Sequence, residues 1–121
     1  MTHSFGPVSR RLMPLYEDVG HNGEIVYRFV SDYLSLLDGR LTGIRDNLAN
    51  GNHERAIIGL LSLETTSVMI GAREVADATR ALRNAVEGDD LSKLPSLLST
   101  MVAETAAIRS VLAQEGYSAR G

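Results

Sequence analysis

The sequence predicts an all-α protein: an up-down-up-down antiparallel four-helix bundle preceded by a short helical or irregular N-terminal arm. Three observations carry that prediction. Apolar residues recur at spacings of three and four along four successive segments, the mark of helices with one buried face. Polar or glycine-containing breaks at Asn50-Gly51, Gly71-Ala72 and Glu87-Gly88 separate the segments, and short connections suit neighbouring helices in a bundle. No stretch alternates with period two for long, so strands are not expected.

The 121 residues suit one domain with a real core. Residues 1–11 mix Gly, Pro, Ser and Arg without periodicity and read as a flexible arm, residues 12–116 as the helical body and residues 117–121 as a frayed tail. Leu12, Leu15, Tyr16 and Val19 fit one or two helical turns before Gly20-His21-Asn22-Gly23 interrupts. From Glu24, a face of Ile25, Phe29, Tyr33, Leu36, Leu37, Leu41, Ile44 and Leu48 argues a long helix. Gly39 and Gly43 weaken it by about 1 kcal/mol each relative to Ala and point to a close neighbour.

Asn50-Gly51 ends that helix, and Asn52 is placed to cap the next through its side-chain oxygen. The inward stripe of the second helix is Ile57, Leu60, Leu63, Ser67 and Ile70, with Gly71-Ala72 marking a bend or tight contact. A third helix carries Val75, Ala78, Thr79, Leu82 and Val86 inward and stops at Gly88, which suits a left-handed C′ position. Asp89 or Asp90 starts the fourth, where Pro95 is tolerated in the first turn. Its expected core face is Leu94, Leu97, Leu98, Met101, Val102, Ala106, Ile108, Val111 and Leu112, and Gly116 closes it.

Composition narrows the function. Hydrophobic residues make up 44% and charged residues 22% of the chain, and the formal net charge is −3. No Lys/Arg cluster exceeds Arg10-Arg11, so nucleic acid is not an expected partner. The absence of cysteine excludes disulfides and thiolate metal sites. No apolar run approaches the roughly 18 residues needed to span a bilayer, and the N-terminus lacks the apolar region of a signal peptide. The expectation is a cytoplasmic protein with no membrane partner.

One segment is more specific. Leu61-Ser62-Leu63-Glu64-Thr65-Thr66-Ser67-Val68-Met69-Ile70-Gly71-Ala72 resembles the core motif of histidine-containing phosphotransfer (HPt) domains, the helical phosphate carriers of two-component relays. Leu63, Ser67, Ile70, Gly71 and Ala72 keep its structural positions. The resemblance runs from Leu15 to Leu112. It includes the aromatic stripe Phe29 and Tyr33, the Asn50-Gly51-Asn52 turn, the Arg83-Asn84-Ala85-Val86-Glu87-Gly88-Asp89 close, and later Leu97-Leu98 and Glu104.

The two positions that perform the family's chemistry differ: the phospho-accepting histidine is Leu61 and the lysine is Glu64. Phosphate transfer from an aspartyl phosphate needs a nucleophilic imidazole nitrogen, and leucine has no lone pair to offer. One turn on, on the same face, an ammonium would neutralise the phosphoryl group, whereas Glu64 reverses the charge. At about 4 Å in water that exchange of attraction for repulsion costs roughly 2 kcal/mol. Thr65 fills the space the family's glycine leaves beside the imidazole. The resemblance therefore implies a pseudo-phosphotransfer module, not an enzyme, with no catalytic residue and no cofactor. Its expected partner is a response-regulator receiver domain or a histidine kinase.

If Ile57, Leu60, Leu63, Ser67 and Ile70 face inward, Ile58, Leu61, Thr65 and Val68 form an outer stripe. Together with Glu64 they are the candidate docking surface, which the N-terminal segment or a second copy in a homodimer are alternative ways to cover. Displaced phosphate carriers would be His53 or His21; His3 lies in the arm. The three histidines are too scattered for a recognisable metal site.

Overall fold

The computed structural model describes residues 8–119. The first seven residues of the expected arm, His3 among them, and the last two residues of the chain lie outside the described residues. A 3₁₀ turn at Arg10–Leu12 leads into α1 (Met13–Asp18), followed by α2 (Gly23–Ala49), α3 (His53–Met69) and α4 (Arg73–Glu87). A second 3₁₀ turn at Leu91–Lys93 then runs into α5 (Leu94–Gln114). Among the described residues there is no strand. The five helices pack together: α3 lies between α2 and α4, α5 packs on α4, and α1 packs on α2. An ion pair of 2.7 Å between Arg109 and Asp38 ties α5 to α2.

The core lies where these helices meet. Leu60, Leu63 and Ile70 of the α3 segment are wholly buried, alongside Val26, Val30 and Leu37 from α2, Leu82 from α4 and Met101 and Leu112 from α5. Each such side chain contributes about 1.5–3 kcal/mol by leaving water. Leu12 and Leu15, on the short N-terminal helical turns, join the same core.

Three expectations about α2 and α5 need correction. Ile25 and Leu36 are exposed, while Val26, Val30 and Leu34 are buried. A long helix rich in apolar residues offers two adjacent faces at the same spacing, and the valines occupy the inner one. On α5, Thr105 is buried in place of Ala106; its hydroxyl donates to the Val102 carbonyl at 2.7 Å, which satisfies it away from water. Gly39 and Gly43 accommodate no close neighbour, since a Cβ at either would meet nothing within 4 Å.

The caps also differ in detail. Asn52 sits at the N-cap of α3 but makes no side-chain cap bond. Asn22 is the residue that caps by side chain, accepting from the Ile25 amide at 3.2 Å. At the end of α4 the left-handed residue is Asp89, with φ +53°, while Gly88 keeps a negative φ. The helix runs one residue further than the glycine suggests, and an aspartate tolerates that region better than most residues.

Neither end of the chain is wholly loose where described. Val8 and Tyr117 pack against the core, Arg11 donates from Nε to the Gly71 carbonyl at 3.2 Å, and the Tyr117 ring lies 5.5 Å from that of Tyr27. The segment Leu91–Gln114 is, by length and composition, apolar enough to cross a membrane, against the expectation that none is. Reading only uninterrupted apolar runs missed it, because Ser, Thr and a few charges break the run without lowering the average much. In the fold, its Met101, Thr105, Ile108 and Leu112 are buried against the other helices.

Candidate interaction surface on the third helix

α3 separates its residues into two faces by the helical repeat alone. Ala56, Leu60, Leu63 and Ser67 point inward. The inner face is fixed to α2 by a hydrogen bond of 2.8 Å between the Tyr33 hydroxyl and Ser67 Oγ, both buried. Burial pushes the Tyr33 phenol above its ordinary range despite that bond. Gly59 lets the two helices approach, since a Cβ there would lie 3.1 Å from Ile44 Cγ1. Arg40 adds a bond from its guanidinium to Thr66 Oγ1 at 3.1 Å.

On the outer face Ile58, Leu61 and Val68 are 68%, 50% and 57% exposed. Thr65, exposed between them, turns its hydroxyl back to the Leu61 carbonyl at 2.9 Å. Leaving large apolar side chains at this exposure forgoes the stabilisation of burying them, so a contiguous stripe is the kind of surface a partner covers. Glu54 and Arg55 are exposed on the preceding turns.

Glu64 belongs elsewhere. Its side chain is only 12% exposed, and both oxygens are engaged. Oε2 accepts from Arg80 Nε at 2.8 Å, while Oε1 accepts from Arg83 at 2.9 and 3.2 Å. Arg83 also reaches Glu87, at 2.8 Å, and Arg80 reaches Asp77, at 3.4 Å. Partial burial opposes ionisation of Glu64, but the hydrogen bonds from Arg83 and Arg80 outweigh it and hold the carboxyl below its usual range. Glu64 is thus a clamp between α3 and α4 and is not a free charge on the outer stripe. Sequence reasoning missed Arg80 and Arg83 as its partners because they lie on another helix, and no local spacing reveals which turns of two helices face each other.

The motif's structural positions all do structural work. Leu63, Ser67, Ile70 and Ala72 are buried. Gly71, with φ +71°, makes the left-handed turn after α3, and a Cβ on it would overlap the carbonyl of Arg11. The histidines do not converge. His53 is half-buried at the start of α3, with Nδ1 4.0 Å from Asp89 Oδ1, while His21 lies in the α1–α2 connection with its ring 5.0 Å from Tyr16. Among the described residues no group of three or more His, Asp or Glu side chains is placed to hold a metal ion.

Compared with protein-family models, curated proteins and solved structures, the chain gives no significant match. The family reading therefore rests on the motif residues and on where they lie.

Proposed function

We propose that the chain is an HPt-like module of two-component phosphorelay signalling that docks a receiver domain or a histidine kinase without accepting phosphate. In this reading α2 to α5 form an up-down-up-down antiparallel bundle, which their short connections favour, residues 50–52, 70–72 and 88–93. The observation that carries the proposal is the placement of Leu61. It stands exposed in the middle of α3, where an HPt domain would present its imidazole, yet its side chain has no nucleophilic atom. Ile58, Thr65 and Val68 extend that surface along the helix, and the Glu64 clamp keeps the adjacent carboxylate out of it.

Incubating the protein with phosphorylated receiver domains tests the non-carrier claim. No acid-labile phosphate should transfer to it, whereas transfer abolished by His53→Ala or His21→Ala would replace this reading with that of a displaced-histidine carrier. Docking is tested by Leu61→Asp, which should weaken receiver or kinase binding by tenfold or more, about 1.4 kcal/mol. Unchanged binding in the folded variant, or no binding to any receiver or kinase domain of the parent genome, would remove the signalling role and leave a structural bundle.

A further inference from the structure

The N-terminal segment and the start of α4 enclose a second feature, a cleft of about 910 Å³ beside the Gly71 turn. Arg10, Arg11, Arg73 and Arg80 line it, against two carboxylates, Glu74 and Asp77. A chain whose formal charge is −3 thus gathers four guanidiniums in one concave place. Two of these arginines are committed: Arg11 to the Gly71 carbonyl and to Glu115, and Arg80 to Glu64 and Asp77. Arg10 and Arg73 are exposed and make no hydrogen bond or ion pair among the described residues.

Two further features belong to the same walls. α4 opens on the cleft with Ala72 at its N-cap and no side-chain cap bond, so its first amides lack a side-chain acceptor and favour negative charge. Ser9 also lines the cleft, and its hydroxyl oxygen is shielded from solvent with no hydrogen-bond partner. An unsatisfied buried hydroxyl costs about 1–3 kcal/mol. The remaining lining is apolar, from Pro14, Val68 and Ala76.

We propose that this cleft binds a ligand bearing an oxyanion, a phosphate or carboxylate group on a partly apolar body, with Arg10 and Arg73 as its principal donors. Guanidinium forks match such groups with two parallel hydrogen bonds, and the apolar wall receives the body that carries them. The proposal uses neither Leu61 nor any relay chemistry, and it shares only Val68 with the outer stripe of α3. The anion has two possible sources, a free small molecule or a phosphorylated side chain of a partner protein.

Amide NMR titrations of the full chain with inorganic phosphate and, separately, with a phosphoserine–leucine peptide distinguish them. Saturable shifts are expected at Ser9, Gly71, Arg73 and Glu74. The paired substitution Arg10→Ala with Arg73→Ala, at two exposed and unpaired positions, should weaken the tighter probe by about tenfold or more. Peptide binding far tighter than phosphate identifies a partner-borne group, and equal affinity identifies a free anion. No saturable shift at those amides with either probe, or identical titrations in the folded double variant, would overturn the assignment.

Discussion

The two flanks of α3 are held by different physics. Against α2 no ion pair is formed among the described residues: the contacts are the buried Tyr33–Ser67 hydrogen bond, the Arg40–Thr66 hydrogen bond and the close passage of Gly59 over Ile44. Against α4 they are ionic, with Glu64 between Arg80 and Arg83. The turns at the two ends of α3 repeat the contrast. Gly51 and Gly71 have nearly the same left-handed φ, +73° and +71°, and the amide of the residue after each donates a hydrogen bond of 2.8 Å to a carbonyl in the last turn of the preceding helix. Beyond Gly51 there is open space, whereas Gly71 lies against Arg11. One backbone device therefore serves as a plain turn at one end and as a socket for the N-terminal segment at the other. The helix that presents the candidate surface is thus held on both sides, by hydrogen bonds from α2 and by ion pairs from α4.

Gly71→Ala is the strongest way to break this symmetry. A left-handed alanine costs about 1–2 kcal/mol, and overlap with a backbone carbonyl adds to it, because the segment must be displaced. The expected loss is about 3 kcal/mol or more, read from denaturant unfolding. In a chain lacking residues 1–11 the same substitution should cost only the left-handed term. An equal cost in both backgrounds would mean that Arg11 does not press on this turn.

Charge reversal or removal at Glu64 comes next. Glu64→Gln leaves Arg80 and Arg83 without their shared carboxylate and should lose about 2 kcal/mol near neutral pH. Because the folded-state carboxyl titrates below its ordinary 4.5, its contribution is present above that value. It is lost as pH falls through the depressed folded value. The stability gap between the parent and Glu64→Gln should therefore close in acid, and a gap constant down to pH 2 would deny the ionic clamp. Glu64→Lys would set an ammonium against two guanidiniums and should destabilise more than Glu64→Gln.

Tyr33→Phe probes the α2 flank and should behave in the opposite sense. It leaves buried Ser67 Oγ without its partner at a cost of about 1–2 kcal/mol. The folded phenol is raised above its ordinary 10.0 by burial, so this flank is at full strength below pH 10 and weakens as pH rises through the folded value. Thermal stability of parent and variant across acid pH should differ by a constant amount and should converge only in strong alkali. Convergence in acid would show that the two flanks are not separable.

Where the sequence was legible, a local rule sufficed. Of the expected inward stripe, Leu60, Leu63, Ser67 and Ile70 follow from period alone, as does the outward placement of Ile58, Leu61 and Val68, whereas Ile57 is only partly buried and Ala56 takes the fully buried place on the first turn. What was not legible depended on register between helices. Glu64 looks like a surface charge until Arg80 and Arg83 arrive from α4. Arg11 looks like part of a loose arm until Gly71, sixty residues away, accepts its hydrogen bond. Gly39-x-x-x-Gly43 shows the converse error, since spacing suggested a packing contact that no neighbouring element comes near enough to make. The cleft beside Gly71 was invisible for the same reason, because its arginines belong to segments far apart in the chain.

The smallest expected effect completes the comparison. Gly51→Ala retains the open space around the turn, so only the left-handed conformation penalises it, by about 1 kcal/mol. Partial relief comes from the lower entropy of the unfolded chain. Its cost should be unchanged when residues 1–11 are removed, unlike that of Gly71→Ala. Measuring the four combinations isolates the contribution of the arm at one turn while the other serves as an internal reference. A Gly51→Ala penalty as large as that of Gly71→Ala would mean that backbone strain, and not the Arg11 contact, accounts for both glycines.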